Sequence, residues 1–421
     1  MTSKIPFSNP FRPGAGHMPP YLAGREHETK EFLKLTSQTT ILENMVLTGL
    51  RGVGKTVLLD TFKPLAIANK WLWVGTDLSE SASISEENLA IRLLTDLSVV
   101  TSNTLISREQ ISKIGFSNNQ EIIETNLGFD FLYNLYQRTP GLVLDKLKSI
   151  LEFAWDCLKS QNIKGLIFAY DEAQNLSDQA SNSQYPLGVL LDAFQSIQKK
   201  NIPFMLILTG LPTLFPKLVD SRTFAERMFR VVFLKRLNEK DSRNAILKPI
   251  DSTKCPVNFT EESVALITKH SGGYPYFIQF ICREAYDAFL PKIAAGETVS
   301  VPLEEITRKL DTDFFAGRWS RATDRQRELL LLISQLDNSE EEFSVQDIVE
   351  LSKKITQKPF SNSHVNQMLN SLSSAGLIYK NRFGKYSFAV PLLSQFILRQ
   401  YNITRQSSRP SPPPNSVGSG G

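Results

Sequence analysis

The residues with the clearest chemical potential are those from Gly49 to Thr56, which match the pattern G-x-x-x-x-G-K-T. In such a glycine-rich loop, successive backbone N–H groups surround a phosphate, and the lysine reaches the outer phosphates. Residues 45–48 before the loop resemble a strand, and residues 57–68 after it resemble a helix. This context predicts an ATP site formed by Gly49, Leu50, Arg51, Gly52, Val53, Gly54, Lys55, Thr56 and Val57.

A second candidate group follows the apolar run 165–170, which is typical of a buried parallel strand. Asp171 and Glu172 come directly after it, at the end of the strand where ligands collect in an open α/β sheet. With Thr56, Asp171 would hold Mg²⁺ through oxygen and water, and Glu172 would polarise the attacking water. The acid pair alone could equally cap a helix. The upstream phosphate loop favours the nucleotide interpretation.

Composition limits the class of protein. The chain has 421 residues, 41% of them hydrophobic, which is enough for two or three domains with their own cores. A formal charge of +4 is too small to imply a nucleic-acid partner and does not forbid one. Scattered cysteines and histidines predict no disulfide, no metal site beyond Mg²⁺ and a cytoplasmic location. No apolar run reaches the roughly 18 residues that a membrane helix needs.

The order of elements predicts an α/β fold. Strand-like runs at 71–75, 203–209 and 231–237 alternate with helical stretches, which indicates a nucleotide-binding α/β domain over 20–237 with a parallel sheet flanked by helices. Residues 101–139 are expected to form a helical insertion. Proline, glycine and serine content predicts a flexible segment at 1–19 and a disordered tail at 404–421.

Two smaller domains should follow. Residues 238–318 show only helical periodicity and predict a helical lid. Residues 319–403 show three helices and then a hairpin, the order of a winged helix. The third helix, 361–375, exposes asparagine and glutamine, which can pair with adenine in a major groove. The hairpin offers Lys380, Arg382 and Lys385 to the phosphates of double-stranded DNA. A plain polar face and a solvated turn would look the same.

This combination resembles the AAA+ ATPases of the origin-recognition and replication-initiator type, and the related STAND nucleotide switches, over roughly residues 20–400. Residues 21–26 are similar to the family's Gly-Arg-Glu segment near the adenine, 205–210 to its sensor-1 strand, and 272–275 to the Gly-Gly-x-Pro of its lid. The resemblance implies that Tyr21, Arg25 and Pro275 lie near the base. It also implies that Thr209 senses the γ-phosphate.

The chain departs from the family in its lid. No arginine stands at 276–279, where many members carry the sensor-2 arginine, and Arg283 follows one to two turns later. This favours a slow switch over rapid hydrolysis. The resemblance places an arginine finger, which acts on the ATP of a neighbouring subunit, at Arg227, Arg230 or Arg222, in that order of preference. A solvated basic face is the alternative for each.

Two functions remain open. The leading one is an ATP-binding AAA+ switch that hydrolyses ATP slowly to ADP with Mg²⁺ and controls a winged helix on DNA, alone, as a homo-oligomer or with a partner protein. The alternative is a STAND-like signalling or defence switch that acts on a protein without binding DNA. Salt-dependent duplex binding would separate them. A helicase is excluded because no second strand–helix series follows residue 237.

Overall fold

The computed structural model describes residues 8–14, 16–112, 120–251, 256–382 and 384–407, without the side chains of 107–112, 120–124, 382 and 403–407. It divides into two units, 1–283 and 284–421, which are described separately. No helix within the described ranges is both long and apolar enough to cross a membrane.

The N-terminal unit is built on a five-stranded parallel sheet. Its strand order is β2-β5-β6-β1-β7, so only β6 lies between β1 and β5. Neighbouring strands are about 4.8 Å apart. The ends of β1 and β5, which carry the two predicted halves of the site, therefore lie at the same edge of the sheet, with only the end of β6 between them. The strands are β1 (Asn44–Gly49), β2 (Trp71–Val74), β3 (Leu105–Ser112), β4 (Gln120–Asn126), β5 (Gly165–Tyr170), β6 (Phe204–Gly210) and β7 (Phe229–Leu234), of which β3 and β4 form a separate hairpin.

Both faces of this sheet are buried. Along β5, Leu166, Phe168 and Tyr170 belong to one hydrophobic cluster, whereas Ile167 and Ala169 belong to the other. The alternation follows from the two-residue period of a strand, and burial on both sides explains why the sequence shows a continuous apolar run.

Helices cover the two faces and continue beyond the sheet. They are α1 (Glu26–Thr36), α2 (Lys55–Ala68), α3 (Glu86–Thr101), α4 (Phe129–Arg138), α5 (Val143–Leu158), α6 (Pro186–Lys199), α7 (Leu214–Ser221), α8 (Ala225–Met228), α9 (Glu239–Asp251), α10 (Glu261–Ser271) and α11 (Pro275–Ala294). The unit boundary falls within α11. The α/β prediction is confirmed. The short helices α7 and α8 are too brief to leave a clear periodic signal.

The helical prediction for 101–139 is wrong over much of its length. Strands β3 and β4 pair antiparallel there, and only α4 follows as a helix. The hairpin is held by hydrogen bonds between two strands, which helical periodicity cannot reveal. Residues 113–119 of this predicted insertion lie outside the described residues.

The predictions for the chain ends also need correction. Within the segment expected to be flexible, Phe11 is only 2% exposed, because the chain packs against the helices of the same unit. Residues 1–7 and 15 lie outside the described range. At the other end, the last helix continues to residue 407, four residues into the predicted tail, and the remainder of that tail is outside the description.

The C-terminal unit is mainly helical and contains a three-stranded antiparallel sheet of order β8-β10-β9. The predicted helices and hairpin are present. The short strand β8 and the last helix, α17, were not predicted. The elements are α12 (Leu303–Leu310), a π-helical turn (Asp311–Phe315), α13 (Ala316–Trp319), α14 (Asp324–Ser334), β8 (Phe343–Ser344), α15 (Val345–Ile355), α16 (Asn362–Ser374), β9 (Ile378–Arg382), β10 (Lys385–Phe388) and α17 (Leu393–Ser407).

Candidate nucleotide site

The glycine-rich loop joins the end of β1 to the start of α2. Gly54 caps the helix in a left-handed conformation, with φ of 89°. Only glycine adopts this conformation without strain. The first N–H groups of α2 have no partner within the helix, and the helix dipole adds partial positive charge there. The loop therefore presents the backbone arrangement that binds a phosphate.

Lys55 is held over this loop. Its Nζ donates hydrogen bonds of 3.0 Å to the carbonyl oxygens of Gly49 and Leu50. Burial lowers the pKa of Lys55 to about 8, although the charges of Asp171 and Glu172 act in the opposite direction. A phosphate beside this ammonium group would favour its charged form, which is the chemistry that the sequence assigns to it.

Thr56 and Asp171 meet across the sheet. Thr56 Oγ1 donates to Asp171 Oδ2 at 2.5 Å, and the backbone N–H of Glu172 donates to Asp171 Oδ1 at 2.7 Å. Asp171 is 4% exposed, and burial raises its pKa. A divalent cation would stabilise this desolvated carboxylate. Two oxygen donors at one point, one of them anionic, fit Mg²⁺, which prefers oxygen ligands.

Gly75 allows the chain leaving β2 to pass close to Asp171. Its φ is 127°, and a Cβ at this position would lie 2.0 Å from the carbonyl oxygen of Ala169. The following residues bond to the backbone of Asp171 on both sides. Thr76 O accepts from Asp171 N at 3.2 Å, and Leu78 N donates to Asp171 O at 2.9 Å. The position of the carboxylate is therefore fixed by main-chain contacts.

Glu172 is tied to the end of β6. Its backbone is left-handed, with φ of 51°, and its carboxylate accepts a hydrogen bond from Gln174 Nε2. Gln174 Oε1 in turn accepts from Leu211 N at 3.1 Å. Thr209, two residues earlier, is fully buried, and its Oγ1 has no hydrogen-bond partner within the described part of the chain. The sequence analysis missed Gln174 as a site residue, although it belongs to the same Asp-Glu-Ala-Gln run.

Arg25 braces the loop from behind. Its guanidinium donates to Val53 O at 2.9 Å and to Lys235 O at 3.0 Å, and pairs with Glu28 at 3.3 Å. Burial lowers the pKa of Arg25, and the neighbouring Glu28 opposes that shift. These bonds hold the phosphate loop against the end of β7. The expected contacts of Arg25 and Tyr21 with the base stay predictions.

The start of α11 lies against the same loop. The backbone N–H of Tyr276 donates to Gly52 O at 3.1 Å, and Leu237 N donates to Gly273 O at 2.8 Å. Pro275 is the first residue of α11, adjacent to the residue that contacts the loop. The predicted Gly-Gly-x-Pro segment is thus next to the phosphate loop, as a base contact requires.

The three candidate finger arginines have different surroundings. Arg222 pairs with Asp192 at 2.7 Å, and Arg230 pairs with Glu31 and with Glu43. Both guanidinium groups are therefore engaged within their own unit, which argues against Arg230 as a finger.

Arg227 is exposed, and its side chain has no hydrogen bond or ion pair with any described residue. It precedes β7, at the opposite end of the strand from the phosphate loop, roughly 17 Å away along the strand. Arg227 therefore cannot reach the site of its own chain, and any role at a phosphate would require a second copy.

In the C-terminal unit, α16 exposes Ser363, Asn366, Gln367 and Asn370. The charged hairpin residues differ. Lys380 is exposed, whereas Lys385 Nζ lies 3.9 Å from a carboxylate oxygen of Asp347 on α15. The side chain of Arg382 is outside the described part.

Comparison with known proteins adds the following. A family described as "Domain of unknown function (DUF8462)" matches residues 312–397. No match is found among curated proteins. Among solved structures, the chain is similar to the Walker-type ATPase PABY2304 of Pyrococcus abyssi, with 16% identity, a TM-score of 0.55, and 90% of this chain and 96% of that chain covered. It is also similar to the ADP form of the Aeropyrum pernix ORC2 protein, with 14% identity, a TM-score of 0.52 and coverages of 94% and 97%.

These similarities extend over almost the whole chain, and they agree with the strand order and the phosphate loop. The chain has the α/β fold of the AAA+ ATPases of origin-recognition type, followed by a helical C-terminal region. The predicted fold and resemblance are confirmed at this level.

Proposed function

We propose that this protein is an ATP-binding switch ATPase that hydrolyses ATP slowly with Mg²⁺. The observation that carries the proposal is the meeting of Lys55, Thr56 and Asp171 at one edge of the sheet, where β1 and β5 end on either side of β6. A nucleoside triphosphate and its cation are bound by groups of this kind: a lysine, a hydroxyl and a buried carboxylate around a helix N-terminus.

Each residue has a separate task. The backbone N–H groups of residues 49–57 surround the phosphates, and Lys55 neutralises the outer ones. Thr56 and Asp171 would hold Mg²⁺, which supplies further charge neutralisation at the phosphates when bound. Glu172 accepts a proton from the attacking water, and the buried hydroxyl of Thr209 donates a hydrogen bond to the γ-phosphate. Arg227 would act on the site of a neighbouring copy in a homo-oligomer.

Two observations support slow hydrolysis. One oxygen of the Glu172 carboxylate accepts a hydrogen bond from Gln174, so fewer acceptor sites of this carboxylate are available to orient water. No arginine stands at 276–279 on α11 to neutralise charge that develops on the γ-phosphate. We expect a turnover rate well below that of ATPases with both groups in place.

A fluorescent-ATP titration tests the nucleotide site. Lys55→Ala should reduce ATP affinity at least about a hundredfold, because it removes the ammonium group that faces the phosphates. Lys63→Ala is the matched control, since Lys63 is exposed on the same helix. Equal affinities in the two variants would refute the assignment of the phosphate loop.

We further propose that residues 238–318 form a lid and residues 319–403 a winged helix that contacts double-stranded DNA. The order α14–β8–α15–α16–β9–β10 supports this, and Lys380 and Lys385 would contact phosphates. In a titration with a fluorescent duplex, binding should weaken as salt increases, and Lys380→Ala should reduce the slope of this salt dependence.

A second candidate function has its own support. Helix α16 contains no arginine or lysine, which is unusual for a helix that enters a DNA groove. In a signalling switch, α16 would contact a protein partner, and that contact does not require a basic face. Absence of duplex binding at low salt, with normal ATP binding, would favour this alternative.

A further inference from the structure

The N-terminal segment of residues 8–14 and 16–18, here called the clasp, contacts two parts of the N-terminal unit. One contact is with the end of the unit that contains α11 and the loop before α10. The other is with α2, which begins at the phosphate loop. The sequence predicts a flexible segment here, and the function proposed above uses neither of these contacts.

The contact near α11 includes the buried side chains of Pro10 and Phe11 and two hydrogen bonds. Phe11 is 2% exposed, and its ring centroid lies 6.1 Å from that of Phe259. The backbone N–H of Arg12 donates to Gln279 Oε1 at 3.0 Å. Asn9 Nδ2 donates to the carbonyl oxygen of Arg283 at 2.9 Å. Gln279 is itself 7% exposed, so its hydrogen bond with the clasp is partly shielded from water, whereas the bond of Asn9 is exposed.

The contact near the phosphate loop is close to the nucleotide site. A Cβ at Gly16 would lie 3.5 Å from Thr56 Cγ2, so the backbone of the clasp passes directly beside the threonine that would hold Mg²⁺. Two residues later, Met18 Sδ lies 3.9 Å from Thr61 Oγ1 on the next turn of α2.

The tether between these contacts is short. From residue 12 to residue 16 the chain can extend at most about 14 Å. While Phe11 stays in its pocket and residues 16–18 stay beside α2, α11 therefore cannot move far from α2. The nucleotide site lies between these helices, because Tyr276 N donates to Gly52 O where α11 meets the loop.

We propose that the clasp holds α11 against the phosphate loop and thereby controls the rate at which nucleotide enters and leaves. The proposal rests on the nucleotide site proposed above. Opening requires that Pro10 and Phe11 leave their buried positions and that the hydrogen bonds of Asn9 and Arg12 break, which is the scale of a local opening and not of global unfolding. The clasp is thus a reversible gate that belongs to the chain itself.

The test measures both association and dissociation of mant-ADP by stopped flow. Phe11→Ala should increase both rate constants about tenfold, because it removes most of the apolar surface that keeps the gate closed. Since a gate acts on uptake and release alike, the dissociation constant should change much less than either rate. Arg12→Ala is the matched control, because it keeps the backbone N–H and changes only an exposed side chain.

Two further variants keep the test decisive. Phe11→Leu retains much of the buried surface and should stay near the wild-type rates. Deletion of residues 1–12 removes the ring and both hydrogen bonds and should accelerate exchange at least as much as Phe11→Ala. Thermal unfolding of each variant without nucleotide checks that the fold is intact.

The outcomes separate the two proposals. Wild-type protein that fails to bind mant-ADP would overturn the nucleotide site and the clasp together. Normal binding with unchanged rates in both Phe11→Ala and the deletion would overturn the clasp alone. Faster release with unchanged association would also overturn it, because that pattern indicates a damaged site and not a gate.

Discussion

Lys55 provides the sharpest quantitative prediction, since burial lowers its pKa from 10.5 to about 8. A lysine that holds its proton more weakly in the folded than in the unfolded protein opposes folding below its folded pKa. At 1.36 kcal/mol per pH unit, this opposition is about 3 kcal/mol near neutral pH. In nucleotide-free buffer, Lys55→Met should therefore be more stable than wild type, by about 1–2 kcal/mol after loss of the bonds to Gly49 and Leu50.

The pH dependence follows from the same shift. As pH rises from about 8 towards 10.5, the folded protein has lost the Lys55 proton while the unfolded protein still binds it. The stability of wild type relative to Lys55→Met should therefore rise, by about 2 kcal/mol between neutral pH and about pH 9.5. Other groups titrate in both proteins and cancel from the difference.

Urea denaturation of both proteins at the two pH values measures this quantity. Lys63→Met is the control, because Lys63 is exposed on the same helix. With saturating ADP the order should reverse, since only wild type gains the full binding energy of the phosphates. A difference between Lys55→Met and wild type that stays constant with pH would refute the reasoning from burial.

Three other predictions concern turnover and stability. Glu172→Gln should keep ADP affinity but hydrolyse ATP at least about tenfold more slowly, as measured by phosphate release. Unchanged turnover would show that Glu172 has only a structural role. Arg227→Ala should bind ATP normally and lose turnover, and mixing it with Glu172→Gln protein should restore part of the activity; no rescue would exclude a finger acting between copies. Arg230→Ala should lower the urea midpoint, because Glu43 loses its ion-pair partner and Glu31 loses one of two, and mixing should rescue nothing.

The sequence was sufficient for the parts of the site that lie in one stretch of chain. The phosphate loop carries its chemistry in eight successive residues, and the run before Asp171 records burial on both faces of β5. The sheet that joins them could be predicted because strands and helices alternate. Thr56 and Asp171 are then expected to lie close together, because residues that bind a ligand collect at the carboxyl ends of parallel strands. This is a property of the sheet and not of individual residues.

The parts that could not be predicted depend on partners distant in sequence. The bond from the Arg25 guanidinium to the carbonyl oxygen of Val53 could not be predicted, because the two residues are 28 positions apart. Arg230 looks as exposed as Arg227 until folding brings Glu31 and Glu43 to it. Phe11 stands in a segment rich in proline and glycine, and only the helical part of the unit supplies its pocket. Composition describes a segment, whereas burial depends on what folds around it.

Gly75 has a consequence for how this chain can vary. The residue touches no nucleotide, yet any side chain there would collide with the carbonyl oxygen of Ala169. The strand β2 would have to separate from β5, and the bonds from Thr76 and Leu78 that fix Asp171 would be lost with it. A saturation scan scored on ATP binding should therefore find position 75 as intolerant as the phosphate loop. Intolerance to substitution would mark this glycine as part of the site, although its chemistry alone would not.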